Sequence, residues 1–115
     1  MSRDPDYVAD ILEMMNRVQI YIEGMDKEAF LADLKTQDAV SRCIEIIGEA
    51  TKRLSAHFRS ENPHIPWQHM AGMRDILIHA YDSVDLDLVW EAAVTSIPRL
   101  RPQIEKLVEN PPTAT

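Results

Sequence analysis

Cysteine, glycine and long apolar runs are all scarce in this sequence, and each shortage excludes a class of protein. Cys43 is the single cysteine among 115 residues, so no intrachain disulfide can form, and a reducing cytoplasm is the expected compartment. Only three glycines occur, which favours helices over a turn-rich β architecture. No apolar run approaches the roughly 18 residues of a membrane span, and the N-terminus lacks the apolar stretch of a signal peptide. We therefore expect no membrane contact.

Basic residues are also outnumbered. Lys and Arg total 12 against 19 Asp and Glu, which gives a formal net charge of −7 at pH 7. Proteins that hold nucleic acid through phosphate contacts alone are normally basic. Any binding of RNA or DNA by this chain must therefore depend on a local cationic site.

Apolar residues recur at helical spacing in four main segments, which predicts an all-α helical bundle. In the first segment Asp4 is the expected N-cap, Pro5 the first helical residue, and Gly24 the stop signal. A short helix or turn follows. Thr36 is then expected to cap a long helix that continues to Arg59.

The second half of the chain predicts two further helices. One begins at Trp67, after a proline-punctuated loop, and is expected to run to about Tyr81. The last helix contains Pro98 and Pro102, which should kink it or divide it. All four helices belong to one domain over residues 1–109, and residues 110–115 are predicted to be a disordered tail.

Two features of the predicted helices concern their neighbours. Gly48 lies inside the long helix, where glycine costs about 1 kcal/mol relative to alanine, so close approach of another backbone is its expected benefit. Tyr7, Met14 and Tyr21 widen the apolar face of the first helix on one flank. That surplus width predicts burial against more than one neighbour, and a second copy of the chain is one such neighbour.

The histidines and the cysteine give little sign of a metal site. His57, His64, His69 and His79 form no i, i+4 pair and no HExxH frame, and none has a partnering cysteine. Cys43 lies on an apolar stripe without a candidate base, so core packing is its expected role. The sequence predicts no metal and no cofactor.

Charged residues on the long helix allow two interpretations. Glu45, Glu49, Lys52 and Arg53 are i, i+3 and i, i+4 neighbours. Such patterns usually form a solvated face with weak ion pairs. Alternatively, a carboxylate of this group orients Arg74 from the adjacent helix.

The stretch "RDILIHAY" places four polar side chains within eight positions of an otherwise apolar segment. At about 100° per residue, Arg74 and Tyr81 point almost the same way, whereas His79 lies about 140° round from Arg74. Three arrangements bring the arginine and histidine to one target: Arg74 reaches round, the helix loosens near His79, or a second copy completes the site. A polar face turned to water is the alternative.

The residue types suit phosphodiester cleavage without a metal. Arginine offers a planar fork of donors for phosphate oxygens. Histidine moves protons near neutral pH. Spacing alone is weak evidence for this chemistry.

The same stretch matches the Arg-x4-His-x-Tyr motif of HEPN-domain proteins, and the whole chain resembles the HepT-like toxins of that group. "IIGEA" on the long helix and "IPWQHMAGMRD" leading into the motif agree with the family pattern, as do the prolines of the last helix. The resemblance extends from about Asp4 to Leu107.

This resemblance implies a homodimeric endoribonuclease toxin whose paired motifs line a cleft between two copies. Arg74 would bind the scissile phosphate, and His79 would be general acid or base for attack by the ribose 2′-hydroxyl. Tyr81 would receive AMP from a minimal nucleotidyltransferase antitoxin (MntA-like), which silences the toxin. Asp75 would hold the arginine or the histidine by hydrogen bonding, and Glu49 would support the site.

Two rival interpretations of the sequence stay open. The first is a noncatalytic helical subunit that only binds and positions a nucleotidyltransferase. The second is a structural bundle in which Arg74 and His79 satisfy each other in an interface. The motif tyrosine at Tyr81 argues against the second, because simple packing does not require it.

Overall fold

The computed structural model describes residues 2–78 and 85–109, and within these ranges the chain is almost entirely helical, with no strand. The elements in chain order are α1 (Asp4–Ile22), α2 (Lys27–Leu31), α3 (Leu34–Arg53), α4 (Ala56–Glu61), α5 (Trp67–Gly72), α6 (Asp75–Ile78), α7 (Leu86–Glu91), a π-helical segment (Ala92–Ser96) and α8 (Ile97–Glu109). The predicted all-α bundle is confirmed. The predicted tail at 110–115 lies outside the described residues.

Helix α1 lies at the centre of the packing, with α3 along one side and α8 along another, while α5 packs on α3. The apolar stripes of these helices meet in one continuous core. Its fully buried side chains include Ile11, Met15, Val18, Ile44, Ile47, Met70, Ile97 and Ile104. No helix of the described residues is long and apolar enough to cross a membrane.

The long central helix begins slightly earlier and ends earlier than the periodicity predicted. It begins after Asp33, whose carboxylate accepts the Thr36 N–H at 3.0 Å, so Thr36 is not the cap. It ends at Arg53, because Leu54 adopts an extended conformation and Ser55 caps a separate helix, α4. The prediction of one helix from Thr36 to Arg59 is therefore wrong.

The break between α3 and α4 is stabilised by a residue from the start of the chain. Asp4 is the first residue of α1, not its N-cap as predicted, and Arg3 precedes it. The buried Asp4 carboxylate accepts the Ser55 N–H at 2.9 Å and the Ser55 hydroxyl at 2.7 Å. Burial alone would raise the pKa of the Asp4 carboxyl. These hydrogen bonds, a further one from Ser2 and the electrostatic effect of the nearby His57 hold that pKa below its ordinary value.

The predicted helix from Trp67 is also divided. Its α-helical pattern is interrupted at Met73 and Arg74, where tighter hydrogen bonds join the Met73 N–H to the Met70 carbonyl and the Leu77 N–H to the Arg74 carbonyl. The predicted continuation to Tyr81 lies beyond the described part of this segment. The interruption coincides with a tertiary contact of Arg74 described below.

The last helix is interrupted as the prolines predicted. The π-helical segment ends two residues before Pro98, which has no N–H to donate to the Val94 carbonyl. Pro102, by contrast, is accommodated inside α8. Pro98 therefore coincides with a change of helix type in a helix that continues to Glu109, and Pro102 causes no break.

Candidate functional site

Arg74 packs with its aliphatic stem against the middle of α3. A Cβ atom built on Gly48 would lie 2.9 Å from Arg74 Cβ, 3.0 Å from Arg74 Cγ and 3.3 Å from the Ala71 carbonyl oxygen. No side chain fits there without a shift of its neighbours. The predicted close approach at Gly48 is confirmed, with the Arg74 stem nearest and the Ala71 backbone next.

The residue after Gly48 holds the head of the same arginine. Arg74 lies at the junction of α5 and α6, and its Nη1 donates to Glu49 Oε1 on α3. The Arg74 side chain is 25% exposed and that of Glu49 42% exposed, so the pair lies at the surface edge of the bundle. A pair with this exposure adds little stability, and its main effect is to fix the direction of the guanidinium. A carboxylate of α3 does contact Arg74, and it is Glu49; its supporting role at a site stays a prediction.

Among the described residues, Glu49 is the hydrogen-bond partner of the Arg74 guanidinium. Its Nε is buried and has no hydrogen-bond partner among the described residues, while one of the remaining N–H groups is used by Glu49. Arginine has five N–H donors in a fixed planar fork. The exposed edge can therefore bind an anion without breaking the contact to Glu49.

The other three charged residues of that helix face behave differently from Glu49. Glu45 accepts from Arg42 at 2.9 Å, an exposed i, i+3 pair. Lys52 and Arg53 are exposed and form no ion pair with any residue that the structure describes. The solvated-face interpretation therefore holds for these residues.

Comparison with known proteins gives this geometry a context. A family model described as "Ribonuclease HepT-like" matches residues 11–107. "Probable ribonuclease HepT" of Thermococcus cleftensis is 45% identical over 102 residues, 89% of this chain and 93% of the relative. Two Methanocaldococcus jannaschii proteins, "Putative RNase MJ1216" and "Putative RNase MJ0125", are each 40% identical over 104 residues, covering 90% of this chain and 86% and 90% of theirs. No solved structure matches.

The chain belongs to the HepT-like ribonuclease family. The resemblance inferred from "RDILIHAY" is thereby confirmed at the level of the family. The family match does not itself assign a role to any residue.

Of the five residues predicted for the HepT-like site, the structure brings two together, Arg74 and Glu49. Asp75 is exposed at the start of α6 and makes no hydrogen bond to Arg74, and its predicted bond to the histidine stays a prediction. His79 and Tyr81 lie outside the described residues, so their predicted roles also remain predictions.

Other titratable groups of this HepT-like chain have ordinary structural settings. Within residues 2–78 and 85–109, no three His, Cys, Asp or Glu side chains are grouped closely enough to hold a metal ion. His57 lies 3.0 Å from Glu61 in an exposed i, i+4 pair. Cys43 is 3% exposed in the core, as predicted, and burial raises the pKa of its thiol.

A groove of about 370 Å³ lies on the other flank of α5 and α6, where they face α7 and the π-helical segment. Its lining comprises His69, Gly72, Met73, Ile76, Leu88, Glu91, Ala92 and Ser96. Of the predicted site residues that the structure describes, none lines it. Apolar periodicity does not predict this groove, because the groove depends on how the interrupted helices pack.

Proposed function

We propose that this HepT-like protein is an endoribonuclease that cleaves RNA without a metal ion. One observation carries the proposal: Arg74 is seated on Gly48 and held by Glu49, with donors left at its exposed edge. A fixed arginine at a surface edge is suited to a phosphodiester group. Membership of a ribonuclease family supplies the substrate class, and relatives carry ribonuclease names.

In the proposed reaction Arg74 donates to the non-bridging oxygens of the scissile phosphate and stabilises the charge that builds there. His79 takes the proton from the ribose 2′-hydroxyl. The 2′-oxygen then forms a bond to phosphorus while the bond from phosphorus to the 5′-oxygen breaks. A protonated imidazole returns a proton to the departing 5′-oxygen. The products are a 2′,3′-cyclic phosphate and a 5′-hydroxyl.

A second copy supplies the second imidazole in this proposal. The angular separation of Arg74 and His79 on a helix favours a site shared between two chains. The sequence predicted that the flank of α1 with Tyr7, Met14 and Tyr21 faces a second copy. Met14 is instead buried within its own chain, where it is only 6% exposed. Tyr21 and Ile20 remain available at 36% and 66% exposure, so we assign the two-fold contact to them.

The test is cleavage of a single-stranded RNA with chelator present. The wild type should cleave, and Arg74→Ala and His79→Ala should each abolish cleavage while the helical circular dichroism signal stays unchanged. Cleavage that stops when metal is removed would contradict the metal-free mechanism. A wild type that binds a nucleotidyltransferase and never cleaves RNA would support the noncatalytic alternative.

The proposal extends to control by a partner. A minimal nucleotidyltransferase antitoxin would transfer AMP from ATP to the Tyr81 hydroxyl, releasing pyrophosphate. The added phosphate would pair with Arg74 and repel the RNA backbone, so the toxin would be silenced. Intact mass should increase by one AMP with partner and ATP, and Tyr81→Phe should resist both the mass increase and the silencing. Equal modification of the Phe variant would remove Tyr81 as the switch.

A further inference from the structure

Charge is distributed very unevenly along this acidic chain. Residues 50–74 contain four basic residues and one acidic residue, a formal charge of +3. The rest of the chain therefore carries −10, since the total is −7. This basic segment comprises the last turn of α3, α4, the following loop and α5, and it ends at Arg74.

The fold keeps the basic segment together at one end of the bundle. The rings of Phe58 and Trp67 lie 5.8 Å apart, and Trp67 Nε1 donates to the Asn62 carbonyl at 3.0 Å. These contacts fasten α4 to the start of α5. The approach of Ala71 to Gly48 then fastens the end of α5 to α3. The helices that carry the basic residues are thus packed together and do not form a flexible arm.

Lys52 and Arg53 are the members of this surface closest in sequence to the site. They follow Glu49 by three and four residues, so both are its neighbours on the helix surface, about one turn away. Glu49 is already paired with Arg74. Lys52 and Arg53 therefore lie on the same side of α3 as this pair, and both are exposed without ion pairs to described residues.

The acidic groups nearby offset only part of this charge, and Glu49 does so through its pair with Arg74. Glu61 is turned to His57, and Asp4 is buried beneath Ser55 with both carboxylate oxygens hydrogen-bonded. Asp75, the residue after Arg74, is exposed. By contrast, five cations outside the segment, such as Arg17 and Lys27, pair with carboxylates.

We propose that Lys52 and Arg53 bind RNA backbone phosphates next to the one held by Arg74, so that this end of the bundle is the substrate track. The inference rests on the proposed ribonuclease function and deepens it. It explains how a chain of net charge −7 binds a polyanion, because affinity depends on the local potential and the bulk of the protein repels non-specific contacts.

The test measures affinity separately from cleavage. The probe is a single-stranded 2′-O-methyl RNA, which lacks the nucleophile, and fluorescence anisotropy gives its Kd over a range of salt concentrations. The test variant is Lys52→Gln with Arg53→Gln. The matched control is Lys35→Gln with Arg99→Gln, which removes two exposed cations outside the basic segment and changes the net charge equally.

We expect the test variant to raise Kd at least tenfold at low salt and the control to stay within about threefold. The slope of log K against log salt should fall by about 1.4 in the test variant, since each phosphate contact in a single strand contributes about 0.7. An equal loss of RNA affinity in both variants, or no loss in either, would contradict the proposal that Lys52 and Arg53 bind the RNA backbone. Wild type that binds the probe but never cleaves unmodified RNA would instead overturn the proposed function alone.

Discussion

At the scale of single residues, the position of Arg74 depends on a glycine. Gly48 leaves the space in which the Arg74 stem and the Ala71 carbonyl approach α3. Glu49, one position later, then meets the guanidinium. The two adjacent positions therefore fix the arginine at its stem and at its head.

Gly48→Ala tests whether the space at Gly48 positions Arg74. The added Cβ would meet Arg74 Cβ at 2.9 Å, so the backbone around Arg74 must shift. Overpacking costs about 1–3 kcal/mol, and alanine returns about 1 kcal/mol of helix propensity. We expect a net loss of about 1 kcal/mol in urea unfolding and at least a tenfold slower RNA cleavage, because small misplacements of a catalytic group are costly.

Gly72→Ala is the matched control for that substitution. Gly72 is also helical, and an added Cβ would have no neighbour closer than Asp75 Oδ2 at 3.8 Å, an ordinary contact. Stability should rise slightly and cleavage should stay within twofold of wild type. If both alanine variants behave alike, Gly48 does not position Arg74.

The sequence indicated these residues to different degrees. The cost of a mid-helix glycine correctly predicted a close approach at Gly48, and the i, i+3 and i, i+4 charge pattern placed Glu49 among the candidates to orient Arg74. Neither pattern identified which carboxylate would do so. That choice depends on where α5 ends, which is set by tertiary packing and is not visible in local periodicity.

At the scale of helices, ends were predicted less well than helices themselves. The apolar periodicity continues through Leu54 and Ser55. The helix nevertheless ends there, because the Ser55 N–H and hydroxyl donate to Asp4 at the start of α1. Serine competes readily with helical hydrogen bonding in this way. A contact between residues 51 positions apart leaves no signal in a local pattern.

This contact predicts a specific dependence of stability on pH. The folded-state pKa of Asp4 is depressed, so its contribution is present above the ordinary aspartate pKa of about 4 and is lost as pH falls through the folded value. Asp4→Asn should cost about 1–3 kcal/mol in urea unfolding at pH 7, because it removes the charge from two hydrogen bonds. That difference should shrink only at pH values below about 4.

Asp6→Asn provides the control for the pH experiment. Asp6 is exposed in the same turn of α1, and its interaction is a 3.8 Å ion pair with Arg3. Its replacement should change the free energy of unfolding by less than about 0.5 kcal/mol at pH 7. An Asp4→Asn variant as stable as Asp6→Asn at pH 7 would show that the α1–α4 link contributes nothing.

At the scale of the whole molecule, the composition was enough to predict the fold class but not how charge is distributed over the fold. Few glycines and four periodic segments predicted the helical bundle. The net charge alone argued against RNA, whereas the charge of residues 50–74 argues for it. The total charge hides this uneven distribution along the chain, and the packing of α3, α4 and α5 brings the basic segment together.

The proposed two-fold contact makes a prediction at this scale. The chain of 13.2 kDa should sediment as a dimer at micromolar concentration. Tyr21→Glu should shift it towards monomer and slow RNA cleavage, because a charge in an apolar contact is costly to bury. Leu34→Glu, at another exposed apolar position, should leave the dimer intact. A wild type that sediments as monomer would remove the shared site.

The central claim is that Glu49 holds Arg74 as the phosphate-binding group of a ribonuclease site. The most direct test is the single-turnover cleavage rate of one RNA by wild type, Glu49→Gln and Glu45→Gln, all in chelator. Glu45 lies one turn earlier and pairs with Arg42, so it controls for loss of a carboxylate from the same helix. The account predicts at least tenfold slower cleavage for Glu49→Gln and less than twofold change for Glu45→Gln. Equal rates for the two variants would contradict it.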